Sequence, residues 1–179
     1  SCVQAGEGAR TNQALRRELC PSHERGITTR RPVSHKGGMK AAVIVINLDR
    51  DTERLAFMRD QLGRLHIEFE RFAALRGDAV PEALRAYFPR GTPLTVGEIG
   101  CYASHLAIMQ RVADGALPSP MLVLEDDVAL PHDIARTIER LLAALPAGWD
   151  IVRLSYPSKR VMQNVAPLGA VDLVRYTHV

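Results

Sequence analysis

Between Ala41 and Ala73 the apolar pattern changes period twice, and this constrains the fold more than any other feature of the chain. Ala41-Ala42-Val43-Ile44-Val45-Ile46-Asn47 is an unbroken, largely β-branched run, which predicts a buried strand. From Thr52 the apolar residues recur as Leu55, Met58, Leu62 and Leu65, a helical stripe, with Asp51 or Thr52 placed to cap the helix. Ile67–Ala73 then alternates with period two, predicting a second strand with one polar face. Strand, helix and strand within some 33 residues form a βαβ unit. Parallel strands need such a crossover, and it is right-handed in nearly every case.

The alternation continues downstream. Val80–Arg90 predicts a short helix before a Pro/Gly loop. Thr95-Val96-Gly97-Glu98 has capping-box spacing and opens a helix to about Ala113, with Ile99, Tyr102, Leu106, Met109 and Val112 as its expected buried stripe. A helix over Asp133–Leu145 turns Ile134, Ile138, Leu141, Leu142 and Leu145 inward, and strands are expected at Asp150–Leu154 and Ala170–Tyr176. The expectation is a three-layer α/β domain.

The chemistry concentrates at Met121-Leu122-Val123-Leu124-Glu125-Asp126-Asp127, an apolar strand running into three carboxylates. Adjacent carboxylates repel one another and lose hydration, a cost that a divalent cation offsets. A solvated acidic turn is the plainer reading. On an extended backbone alternate side chains share a face, so Glu125 and Asp127 can converge on an ion while Asp126 points away. Ligands of open α/β sheets gather at the carboxyl ends of the strands. Asn47 and Arg50 stand at such an end, able to meet a base, ribose or phosphate, with Arg54 a turn further on. An ordinary β–α loop with a solvated Asp-Arg pair is the competing reading there.

The chain has no G-x-x-x-x-G-K-[ST], and no G-x-G-x-x-G follows the first strand. A P-loop NTPase and a dinucleotide dehydrogenase are therefore disfavoured. Glu98, Cys101, Ser104 and His105 share one flank of their helix. Cys101 and His105 lack a third orienting group for nucleophilic catalysis and a second ligand pair for zinc, so they read as packing residues.

These blocks together resemble glycosyltransferase family 25. They are Val45-Ile46-Asn47-Leu48-Asp49-Arg50 with Arg54, Phe72-Ala73-Ala74-Leu75-Arg76-Gly77, the G-E-x-G-C-x-x-S-H run Gly97–His105, Leu124-Glu125-Asp126-Asp127 and Trp149-Asp150-Ile151-Val152-Arg153-Leu154. The resemblance spans about residues 41–155. It implies a GT-A-like, Rossmann-like nucleotide-sugar domain, a UDP-sugar donor such as UDP-galactose, and Mn²⁺ or Mg²⁺ at the acidic motif. Carried onto this chain, Glu125 and Asp127 become metal ligands. Asn47, Arg50, Glu98, Ser104, His105 and Asp126 become donor-site residues. The implied activity is inverting, metal-assisted transfer of a hexose to a saccharide or glycolipid acceptor in lipopolysaccharide or lipooligosaccharide biosynthesis. Family members continue with a G-T-x-A-Y-like segment on the acceptor side, absent up to Val179, so the general base is expected in a missing C-terminal part. A truncated or inactive donor-binding domain is the alternative. A metal-dependent nucleotidyltransferase is a further one, against which the Gly97–His105 block argues.

Charge divides the chain into two parts. Residues 1–38 carry seven basic and three acidic residues, whereas residues 39–179 are nearly balanced, so the basic surplus is not a nucleic-acid-binding stripe on the domain. The leading segment is poor in aliphatic residues and reads as a disordered basic extension before Met39, with a functional basic arm as the other reading. It has no apolar signal core, and no run in the chain reaches the ~20 apolar residues of a membrane span. With one cysteine in residues 39–179, the expected setting is a reducing, cytoplasmic one, with peripheral association at the inner face of the membrane.

Overall fold

The computed structural model describes residues 41–154 and the strands Met162–Pro167 and Asp172–Tyr176. The expected extension, residues 1–38, lies outside the described residues. Three parallel strands form the main sheet: β1 (Ala42–Asn47), β2 (Glu70–Ala73) and β3 (Met121–Glu125), in the order β2-β1-β3. Helix α1 (Thr52–Arg64) carries the chain from β1 to β2. A 3₁₀ helix (Glu82–Tyr87) and helix α2 (Val96–Ala113) lie between β2 and β3, and α3 (Ile134–Ala144) follows. Met162–Pro167 (β4) and Asp172–Tyr176 (β5) form a separate antiparallel pair. Only the second of these strands is expected from the sequence, as Ala170–Tyr176.

β1 is central and shows the strand period plainly. Ala41, Val43 and Val45 enter one core with Met58 and Leu62 of α1, Leu122 and Leu124 of β3, and Ile134, Ile138 and Leu141 of α3. Ile44 and Ile46 enter a second core with Phe72, Leu84, Ala103, Ala107 and Ile108. A strand buried on both faces needs apolar residues at every position, which is why β1 reads as a continuous run. Helices cover both faces of the sheet, giving the three expected layers. Truncating a fully buried side chain such as Met58 or Leu62 costs about 2–5 kcal/mol in cores of this kind.

Three expectations are corrected. β2 begins at Glu70 rather than Ile67, because pairing with β1 starts at Ile44↔Glu70. Asp150–Leu154 is irregular: Ile151 and Leu154 are exposed, and no described strand pairs with the far edge of β3. β-branched residues alone do not make a strand without a backbone partner. On α2 the buried face is Gly100, Ala103, Ser104, Ala107 and Ile108, while Tyr102 and Met109 turn outward. Tyr102 instead meets Phe88 edge-on, with ring centroids 5.6 Å apart.

The small residues of α2 permit a backbone-to-backbone contact. A Cβ on Gly100 would stand 2.6 Å from the Leu75 carbonyl oxygen, and one on Gly77 2.0 Å from that of Val96. The first turn of α2 therefore lies directly against the loop after β2. Ser104 completes the joint: its buried hydroxyl accepts from Leu75 N at 2.8 Å and donates to the Gly100 carbonyl at 2.7 Å. The capping box holds the start of this helix, with Thr95 Oγ1 accepting from Glu98 N and Glu98 Oε2 accepting from Thr95 N. Asp51 occupies the corresponding position before α1, but its side chain makes no capping hydrogen bond.

Candidate active site at the strand carboxyl ends

Parallel pairing brings the polar strand ends together. Ile46 is paired with Glu125, so the next residue on each strand sets Asn47 beside Asp126. Asn47, 2% exposed, donates from Nδ2 to Asp126 Oδ2 at 2.7 Å and to the Asp51 carbonyl at 2.9 Å. Arg71 of β2 donates from Nε to Asn47 Oδ1 at 2.9 Å and from its terminal nitrogen to the Asn47 carbonyl at 3.0 Å. The same guanidinium pairs with Asp49. With every polar atom of its side chain engaged, Asn47 is the hub between β1, β2 and the acidic turn.

Exposure alternates along the three carboxylates: the side chains of Glu125, Asp126 and Asp127 are 49%, 11% and 57% exposed. Asp126 turns inward, where Arg54 donates to its Oδ1 at 3.1 Å. Arg54 also approaches Asp127 at 3.7 Å. Glu125 leans toward α2, with Oε1 3.2 Å from His105 Nε2 and 3.5 Å from Cys101 Sγ. Burial pushes the Cys101 thiol up to about 11, and the charges of Glu125 and Asp127 add to this. Both outer carboxylates thus bear on one point of α2.

The remaining candidate residues are placed differently. Arg50 is largely exposed beside Asp51, at 3.6 Å. The Glu98 carboxylate is taken up by the cap, and the Thr95 backbone and hydroxyl hydrogen bonds hold it below the usual carboxylate range. Ser104 is wholly buried and spends its hydroxyl on the Leu75–Gly100 joint. His105 is half-exposed and faces Glu125.

Two residues of the site were not singled out from the sequence. Arg71 lies on the alternating face of β2, and only the register with β1 reveals its reach to Asn47. Gln61 sits inside the apolar stripe of α1, where an amide is out of place unless it is used. Its Nε2 donates to the Val128 carbonyl at 3.0 Å and its Oε1 accepts from Leu130 N at 2.8 Å, clamping the segment just after the carboxylates.

A parallel α/β sheet with helices on both faces defines a Rossmann-like domain, and its polar and acidic residues gather at the strand carboxyl ends, the edge where open α/β sheets take their ligands. The chain belongs to glycosyltransferase family 25 (LPS biosynthesis protein), whose model matches residues 40–168. It is 31% identical over 146 residues to procollagen galactosyltransferase 2 of Mus musculus, covering 74% of this chain and 23% of that protein. The human procollagen galactosyltransferase 2 is 30% identical over the same shares. The inactive glycosyltransferase 25 family member 3 of Mus musculus is 28% identical, across 74% of this chain and 24% of that protein. The chain spans about a quarter of the length of the curated relatives it matches.

Proposed function

We propose that this chain forms the donor side of a glycosyltransferase that moves a hexose, galactose in the first instance, from a UDP-sugar to a saccharide or glycolipid acceptor. The family description supports a place in lipopolysaccharide or lipooligosaccharide biosynthesis, and the relatives named as galactosyltransferases support the sugar. No helix of the described residues is long and apolar enough to cross a membrane. We place the reaction on the cytoplasmic side, with a peripheral approach to a lipid-borne acceptor.

The observation that carries this reading is the alternation along Glu125-Asp126-Asp127. Two exposed carboxylates flank a buried one that is fixed by Asn47 and Arg54. Exposed oxygen donors on a rigid strand end suit Mn²⁺ or Mg²⁺, and Glu125 and Asp127 are the residues that would hold it. Bound there, the ion would neutralise charge developing on the departing nucleoside diphosphate. Asn47 and Asp126 act beneath it as positioning groups. Arg54, half-exposed at this edge, and Arg50 beyond it are the cations available to the diphosphate. Inversion requires a general base on the acceptor hydroxyl, which we assign to no residue of this chain.

A second reading has a specific observation behind it, since one relative is named as inactive. In that reading the chain binds donor without turnover. Incubation with UDP-galactose and Mn²⁺, followed by chromatography for released UDP, separates the two. Released UDP that depends on Asp127 supports transfer or hydrolysis. Donor binding with no UDP released supports the binding-only reading. Absence of both binding and turnover removes both.

A further inference from the structure

We infer that Cys101, His105 and Glu125 form a binding site for a thiophilic divalent cation of the Zn²⁺ class, which shares Glu125 with the carboxylate site proposed for Mn²⁺ or Mg²⁺ and differs from it by a thiol and an imidazole in place of Asp127. One ligand atom from each of the three residues lies within 4.8 Å of the other two. Tetrahedral Zn²⁺, with a Zn–S distance of about 2.3 Å and Zn–N and Zn–O distances of about 2.0–2.2 Å, sets S···O at roughly 3.6 Å and N···O at roughly 3.4 Å. The observed separations are 3.5 Å for Cys101 Sγ to Glu125 Oε1 and 3.2 Å for His105 Nε2 to the same oxygen. Two edges of the donor triangle, both meeting at Glu125 Oε1, are thus within about 0.2 Å of the lengths such an ion requires.

The supports are rigid and the approach is open. Cys101 and His105 are one helical turn apart on α2, so their side chains project from the same face. The start of α2 is fixed by its capping box and by the contact of Gly100 with Leu75. Glu125 ends β3, the strand paired with β1. Cys101 and Glu125 are exposed and His105 half-exposed, so an ion reaches them from solvent. In the sequence alone the lack of a second ligand pair argues against zinc; the fold brings one further ligand, Glu125, 20 residues beyond His105. Three protein donors leave the fourth position to water or to a ligand oxygen. Sulfur and imidazole select Zn²⁺ or Co²⁺ over Mg²⁺ or Ca²⁺. Binding replaces the thiol proton, which passes to the buffer, so affinity rises with pH.

The test is Co²⁺ titration of the full chain by absorption spectroscopy, followed by displacement with Zn²⁺. The expected result is one equivalent of tetrahedral Co²⁺ with a sulfur-to-cobalt charge-transfer band that Zn²⁺ abolishes. Cys101→Ser should lose that band, and His105→Ala and Glu125→Gln should weaken binding, each with an unchanged circular dichroism spectrum. A Cys2→Ser/Cys20→Ser chain should keep the band. A band that survives Cys101→Ser, or no charge-transfer band at all, overturns the assignment. Asp127→Ala separates this site from the donor metal: it should leave the Co²⁺–sulfur band in place while removing Mn²⁺-dependent UDP binding. If Asp127→Ala removes the band as well, the two sites are one and the inference fails.

Discussion

Asn47 Nδ2 donates a 2.7 Å hydrogen bond to Asp126 Oδ2 across 79 residues of sequence, tying the end of β1 to the turn after β3. The contact holds the middle carboxylate inside, so that its neighbours face out. Asn47→Ala leaves the buried Asp126 short of a donor and takes one acceptor from the exposed Arg71, and should cost about 1–3 kcal/mol. Asn47→Asp should cost more, since it sets a second carboxylate against Asp126. Urea unfolding followed by circular dichroism measures both. Arg50→Ala, at an exposed position, should stay within about 0.5 kcal/mol of the parent.

The joint between α2 and the loop after β2 should be intolerant of a single methyl group. Gly100→Ala drives a Cβ to 2.6 Å from the Leu75 carbonyl, and Gly77→Ala drives one to 2.0 Å from that of Val96. Neither neighbour is a flexible side chain, so each variant should lose about 1–3 kcal/mol or more in thermal or urea unfolding. Gly97→Ala is the control, because its nearest such neighbour is 4.0 Å away. It should stay within about 1 kcal/mol, on the stabilising side, through helix propensity.

Cys101 should be a slow thiol despite its exposure. With its pKa raised to about 11 by burial and by Glu125, it holds roughly a hundredfold less thiolate at neutral pH than an ordinary cysteine. Its alkylation rate, followed by peptide mass spectrometry in metal-free buffer, should still be rising with pH above 9. The sign follows from the causes: removing the Glu125 charge favours the thiolate. Glu125→Gln should therefore speed alkylation at pH 8 severalfold and move the profile to lower pH. An unchanged profile would mean that Glu125 does not bear on the thiol.

Much of this was legible in the chain, for reasons that residues make plain. Val43, Ile44, Val45 and Ile46 announce a strand buried on both faces, and the Leu55–Leu62 stripe announces the crossover helix beside it. Thr95 and Glu98 announce the start of α2 through chemistry confined to four residues. What failed depended on tertiary contact. Of the expected stripe of α2, Ile99, Leu106 and Val112 do pack against the core, while Tyr102 and Met109 turn outward because close approach favours Gly100, Ala103 and Ala107 over larger residues. Arg71 and Gln61 give no signal of their contacts in the sequence, because their partners are distant in the chain and meet them only through strand register and helix docking. The meeting of Cys101 and His105 with Glu125 was hidden in the same way.

Isothermal titration of the chain with UDP, with and without Mn²⁺, tests the donor-site account most directly when repeated on Asp127→Ala. Asp127 is exposed and pairs only loosely with Arg54, so its removal should leave the fold intact. The account predicts UDP binding that requires Mn²⁺ in the parent chain and is lost in Asp127→Ala. UDP affinity indifferent to Mn²⁺, or undiminished in Asp127→Ala, would contradict it.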